Sequence, residues 1–218
     1  VSVILAVIAV LWLFGRPSLG TFGFLTGRSL QNFLLGLGLG AGMLGLTLGL
    51  LRLARQLDLT SGAKVTWQPL MVMITAVLFN ATAQEVMVRY FQVTTAEFAS
   101  PQVGLVVSAI VFSVLHLGPT RGAPLPLLNV FLVGMVFGYG YLATGDLWFP
   151  IGIHFAWNVL LGPILGLTVS GRSLSGGWQL ARVTGSNLLT GGAFGVEGGL
   201  AASIATCLGL LLLFLWYG

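Results

Sequence analysis

The sequence predicts an all-α fold, a polytopic transmembrane helix bundle, on three observations. Of its 218 residues, 56% are hydrophobic and 6% charged, where soluble domains carry about 25% charged residues; mean hydropathy is +1.00. Several apolar runs reach the roughly 20 residues that cross a bilayer core as a helix. No stretch shows the alternation of an outer-membrane barrel strand.

Spans are expected at about 1–14, 30–53, 68–92, 102–118, 127–144, 147–168 and 199–217, seven in one bundle and one domain over residues 1–218. The first run, "VSVILAVIAVLWLF", is already under way at Val1. It lacks a basic n-region and a clear small-residue cleavage site, and reads as a truncated span and not a signal peptide. In the second run Gly36 and Gly40 sit four apart, as do Gly38 and Gly42, and Gly134 and Gly138 repeat the step in the fifth. That spacing lets a neighbouring helix approach closely. No strand precedes these glycines, so a phosphate loop is the weaker reading. Residues 55–67 and 118–126 read as polar or turn-rich connections. The glycine- and serine-rich stretch 170–199 reads as an irregular or re-entrant excursion, tolerated at membrane depth only where protein buries it or water wets it.

The net charge of +4 comes from nine basic and five acidic residues scattered over short connections. No basic tract resembles a nucleic-acid surface, so the bilayer is the expected partner. Arg52, Arg55, Lys64, Arg121, Arg172 and Arg182 fall on one side and Arg16 and Arg28 on the other, which by the positive-inside tendency makes the first side cytoplasmic. Cys207 stands alone in the last apolar run, so no intramolecular disulfide forms, and it reads as a lipid-facing or packing residue.

Ionisable groups inside spans are costly, normally face the bundle interior and have a partner. The third span carries Gln84, Glu85 and Arg89, the fourth His116, and the sixth His154 with Asn158. Glu85 and Arg89 stand four apart with the acid first, the favoured order for a helical ion pair. Gln84 is turned about 100° from Glu85 and shares its face with Asn80. Amides alone would read as interhelical glue. Both histidines of the chain lie within spans, however, and His154 and Asn158 share one helical face. Three separate spans therefore offer a convergent polar set.

In order, "QEVMVR" (84–89), "FSVLHLG" (112–118) and "HFAWN" (154–158) resemble the E-E-x-x-x-R, F-x-x-x-H and H-x-x-x-N/B motifs of the CAAX-protease and bacteriocin-processing family of glutamate-dependent intramembrane endopeptidases. The stretch "GYLATGDLWFPIGIHFAWN", which contains the last of these motifs, and the later "GGAFGVEGG" also resemble its bacterial branch. The resemblance implies a multi-pass protein of the bacterial inner membrane that cleaves membrane-associated peptides or protein tails. It implies that the first motif's leading glutamate and His116 activate water, that His154 and Asn158 stabilise the oxyanion, and that no cofactor takes part. Glu85, Arg89 and Phe112 would support the site. The departure is Gln84, which stands where the family has its leading glutamate. An amide is nearly isosteric with a carboxylate but cannot accept a proton as one does. The exchange reads as an inactivation of a parental glutamate, introduced or natural, leaving a protein that binds but barely cleaves. Tyr90, where a small residue is common in the family, is expected to narrow the cavity.

Three alternatives stand beside this. Zinc held by His116, His154 and Glu85, or by a carboxylate restored at position 84, would supply three ligands and an open position, but no H-E-x-x-H pair is present. A non-catalytic pseudoprotease would keep the polar set without the chemistry. A small transporter would use it as a pathway, and would show internal repeats that the sequence lacks.

Overall fold

The computed structural model describes residues 22–62, 65–174 and 177–218. The expected first span at 1–14, Arg16 and Lys64 lie outside the described residues. In chain order the elements are α1 (Ser29–Leu53), β1 (Leu57–Leu59), α2 (Trp67–Phe98), α3 (Pro101–Val114), α4 (Leu117–Thr120), α5 (Pro124–Thr144), α6 (Trp148–Val159), β2 (Ala181–Val183), α7 (Asn187–Thr190) and α8 (Leu200–Tyr217). The fold is an all-α helical bundle. Its strands form one short antiparallel ribbon, Leu57 opposite Val183 and Leu59 opposite Ala181.

Among the described residues, α1, α2, α5 and α8 are long and apolar enough to cross a membrane. The spans expected at 102–118 and 147–168 are shorter as regular α-helix. α3 begins with Pro101 behind Ser100, whose hydroxyl accepts from the Val103 N–H at 3.3 Å, a proline-led N-terminus with a side-chain cap. It stops at Val114, and the backbone turns through His116 into the one-turn α4. α6 gives way to a π-helical turn, Leu160–Ile164, that contains Pro163; proline supplies no N–H to the α-ladder. Irregular backbone inside a bilayer protein is tolerated where it lines a cavity, and the break at His116 borders both cavities described below.

One end of the bundle is knotted by Asp146. Its Oδ1 accepts from Trp148 N–H (2.8 Å) at the start of α6, while Oδ2 receives the hydroxyls of Thr26 and Ser29 and the Asn32 amide (3.1 Å) of α1. α1 and α6 make the most extensive helix contact. A Cβ on Gly36 would lie 2.2 Å from the Phe149 carbonyl oxygen, and one on Gly40 2.5 Å from that of Ile153. Gly134 and Gly138 also face close neighbours, Ala109 on α3 and Arg89 on α2 respectively, whereas Gly38 and Gly42 face open space. The expected close approach thus holds for one glycine register of α1 and not the other. Because Phe149 and Ile153 present backbone to the seam, only a helix shift can accommodate a methyl. Gly36→Ala is expected to cost about 1–3 kcal/mol, read as a lower thermal midpoint in detergent.

Cys207 is exposed on the outside of α8. Tyr90 packs with Phe22, Tyr141, Leu147 and Ile151 in a cluster of its own and lines neither cavity of the candidate site. The expected narrowing therefore does not occur, because the Tyr90 ring is directed into that separate cluster.

Candidate active site

The residues singled out in the sequence divide into a cavity wall and a layer behind it. Gln84 from α2, His116 from the α3–α4 turn, and His154 and Asn158 from α6 line one cavity of ≈ 430 Å³, a volume in the usual range for ligand pockets. Glu85, Arg89 and Phe112 stand behind these groups and line only the packing around them, apart from Phe112, which borders a smaller adjoining cavity of ≈ 40 Å³. Both histidines and Asn158 border the two cavities at once.

Gln84 is partly exposed, and its Nε2 donates to Asn80 Oδ1 at 2.8 Å, along the shared face expected of that step. His116 Nδ1 lies 2.8 Å from the Phe112 carbonyl oxygen. A carbonyl can only accept, so Nδ1 carries the hydrogen and Nε2 of the neutral ring keeps its lone pair. That is the arrangement a proton acceptor needs.

Glu85 is fully buried and joins two partners. Oε2 lies 3.2 Å from Arg89 Nε, the ion pair expected from the four-residue spacing, and Oε1 receives His154 Nδ1 at 2.9 Å. The second partner, from α6, is not visible in the helical spacing. The carboxylate fixes the imidazole orientation and gives an imidazolium its counter-charge. Arg89 has no exposure either, and donates onward to Gln92 and Ser108. Removing one member of a fully buried pair strands the other charge. Arg89→Met is expected to cost about 3–5 kcal/mol, measured by chemical denaturation, and to loosen His154 through Glu85.

Two aromatic rings fix the imidazoles. Phe112 packs on His116 with ring centroids 4.8 Å apart and meets His154 edge-on at 5.9 Å. Phe137 of α5 stacks on His154 at 5.1 Å with planes 20° apart. Nothing in the sequence marked Phe137, which reads there as one of many phenylalanines in an apolar run.

Glu197 also escaped the sequence reading. It sits in a 3₁₀ turn, Val196–Gly198, within the irregular stretch before α8, and its side chain borders the smaller cavity. Trp157 Nε1 donates to its Oε1 at 3.0 Å, the Ser170 N–H donates to Oε2, and Asn129 Nδ2 holds its backbone carbonyl at 2.8 Å. Burial pushes this carboxyl above the usual carboxylate range, while the bonds from Ser170 and Trp157 pull it back. Ser170 and Gly171 have φ of +45° and +76°, between Val169 and Arg172, which exchange backbone hydrogen bonds of 2.9 Å. Positive φ at both central residues suits a tight hairpin turn and strains a serine. The only available signal was the glycine pattern around Glu197, which marks a turn and does not say what the turn carries.

Among the described residues, no group of three or more His, Cys, Asp or Glu is placed to hold a metal ion.

Residues 66–160, just under half of the chain, match the family model described as type II CAAX prenyl endopeptidase Rce1-like. The matched stretch runs from the start of α2 to the end of α6 and includes Gln84, Glu85, Arg89, His116, His154 and Asn158. No curated protein and no solved structure matches the chain. Its apolar helices and this membrane-protease segment make the chain an integral membrane protein. Over residues 66–160 the chain is similar to the type II CAAX prenyl endopeptidases, which supports a place in the CAAX-protease and bacteriocin-processing family.

Proposed function

We propose that the chain is an intramembrane endopeptidase of the glutamic type, of a bacterial cell membrane, acting on peptides or protein tails presented at or within the bilayer. The observation that carries this reading is the meeting of Gln84, His116, His154 and Asn158, from three separate segments, around one ≈ 430 Å³ cavity. His116, with Nε2 unprotonated, is suited to take up a proton from water. His154, held by Glu85, and the Asn158 amide are suited to face the oxygen of a tetrahedral intermediate, and fixed donors in a water-poor site stabilise such charge strongly.

At position 84 the amide leaves the carboxylate step unfilled, so this chain binds substrate and turns it over slowly. Zinc plays no part in this reading, so chelators leave the activity unchanged. The test is cleavage of quenched-fluorescent, apolar-tailed peptides in phosphatidylcholine–phosphatidylglycerol vesicles by the Gln84→Glu variant. A folded variant that cleaves nothing across a broad library would defeat the reading. Solute flux that depends on His154 would establish a transporter in its place.

A further inference from the structure

The chain has five carboxylates, Asp58, Glu85, Glu97, Asp146 and Glu197. Asp58 and Glu97 are exposed, and Asp146 is enclosed in the knot at the start of α6. Glu85 is held between Arg89 and His154 and borders neither cavity. Glu197 alone of the five lines a cavity together with His116, His154 and Asn158.

Its two hydrogen bonds occupy one position on each oxygen. An ionised carboxylate has about four acceptor sites, so each oxygen keeps a lone pair for a further donor. The adjoining space, ≈ 40 Å³, exceeds the roughly 10–15 Å³ that admits a water. Three anchors set the position of the group: α6 through Trp157, the 169–172 turn through Ser170, and α5 through Asn129.

We propose that Glu197 is the proton-accepting carboxylate for the hydrolysis this chain still performs, taking the place left open at position 84. The proposal rests on the endopeptidase reading. A water between Glu197 and His116 gives one proton to Glu197, and its oxygen bonds to the scissile carbonyl carbon. The C=O electron pair moves onto oxygen, which His154 and Asn158 face. Collapse re-forms the carbonyl and breaks the C–N bond, and Glu197 returns its proton to the departing nitrogen. One water is consumed, and an acid and an amine are released.

The test uses the full chain in the vesicles and peptide library described above. The unchanged chain is expected to cleave slowly, and Glu197→Gln to lower kcat by at least about 10²-fold. Adding Gln84→Glu to the Glu197→Gln variant is expected to restore cleavage. A merely structural role for Glu197 would leave that double variant as inactive as the single one. Should the Gln variant fail to fold, Glu197→Asp, whose carboxylate is one methylene further back, replaces it, and a kcat equal to the parent's then counts against the proposal. Cleavage by the Gln84→Glu variant but none by the unchanged chain overturns the proposal and leaves the endopeptidase reading intact. An undiminished rate in Glu197→Gln does the same. If neither the unchanged chain nor the Gln84→Glu variant cleaves, the endopeptidase reading falls and this proposal falls with it.

Discussion

Replacing Gln84 by glutamate is expected to raise kcat for peptide hydrolysis by about 10²- to 10⁴-fold, the usual contribution of a positioned acid or base. The side chain already borders the cavity with His116, so the substitution changes protonation chemistry and little else. Its one local cost concerns Asn80, whose Oδ1 now accepts from the Gln84 amide. An asparagine can rotate its amide and present the NH₂ group to a carboxylate. Because Gln84 is only partly buried, the new charge keeps contact with the cavity and is not stranded. The thermal midpoint should therefore stay within a few degrees while the rate climbs. A comparable rise in KM without a change in kcat would show that position 84 serves binding alone.

In the Gln84→Glu background, His116→Ala is expected to remove most of that gain, again about 10²- to 10⁴-fold in kcat. His116 is held by its own backbone through Phe112 and by the Phe112 ring at 4.8 Å. Its loss opens space beside a cavity and leaves no buried charge, so the variant should fold. The decisive comparison is with KM. A residue that acts on water and not on substrate binding lowers kcat and leaves KM nearly unchanged. A variant with full kcat would remove His116 from the chemistry.

The helical bundle was legible because lipid forces long apolar runs, and the polar residues within them stood out against that background. Gln84, Glu85, Arg89, His116, His154 and Asn158 were found in this way. Spacing rules reach only along one helix. They anticipated the Glu85–Arg89 pair and missed the Glu85–His154 bond, which joins α2 to α6. They also favoured two glycine registers on α1 equally, although only Gly36 and Gly40 face α6. Hydropathy saw residues 102–118 as one span, whereas the regular helix stops at Val114 and the backbone turns at His116 into a one-turn helix. Glu197 was illegible for a related reason. A glycine-rich segment has no period, so nothing local indicates which neighbours its one carboxylate will meet.

The small antiparallel ribbon, residues 57–59 with 181–183, joins the end of α1 to the chain that follows α6, and the Asp146 knot joins the opposite ends of the same two helices. With the glycine seam between them, α1 and α6 form a rigid plank clamped at both ends. In the first half of α2, Met71, Val72 and Phe79 point outward and Met73 and Val77 edge the larger of the two cavities, while Leu70 is buried and Trp67 packs edge-on against Trp178. The imidazole of His154 is therefore positioned by α1, at both ends of the shared seam, as well as by its bond to Glu85.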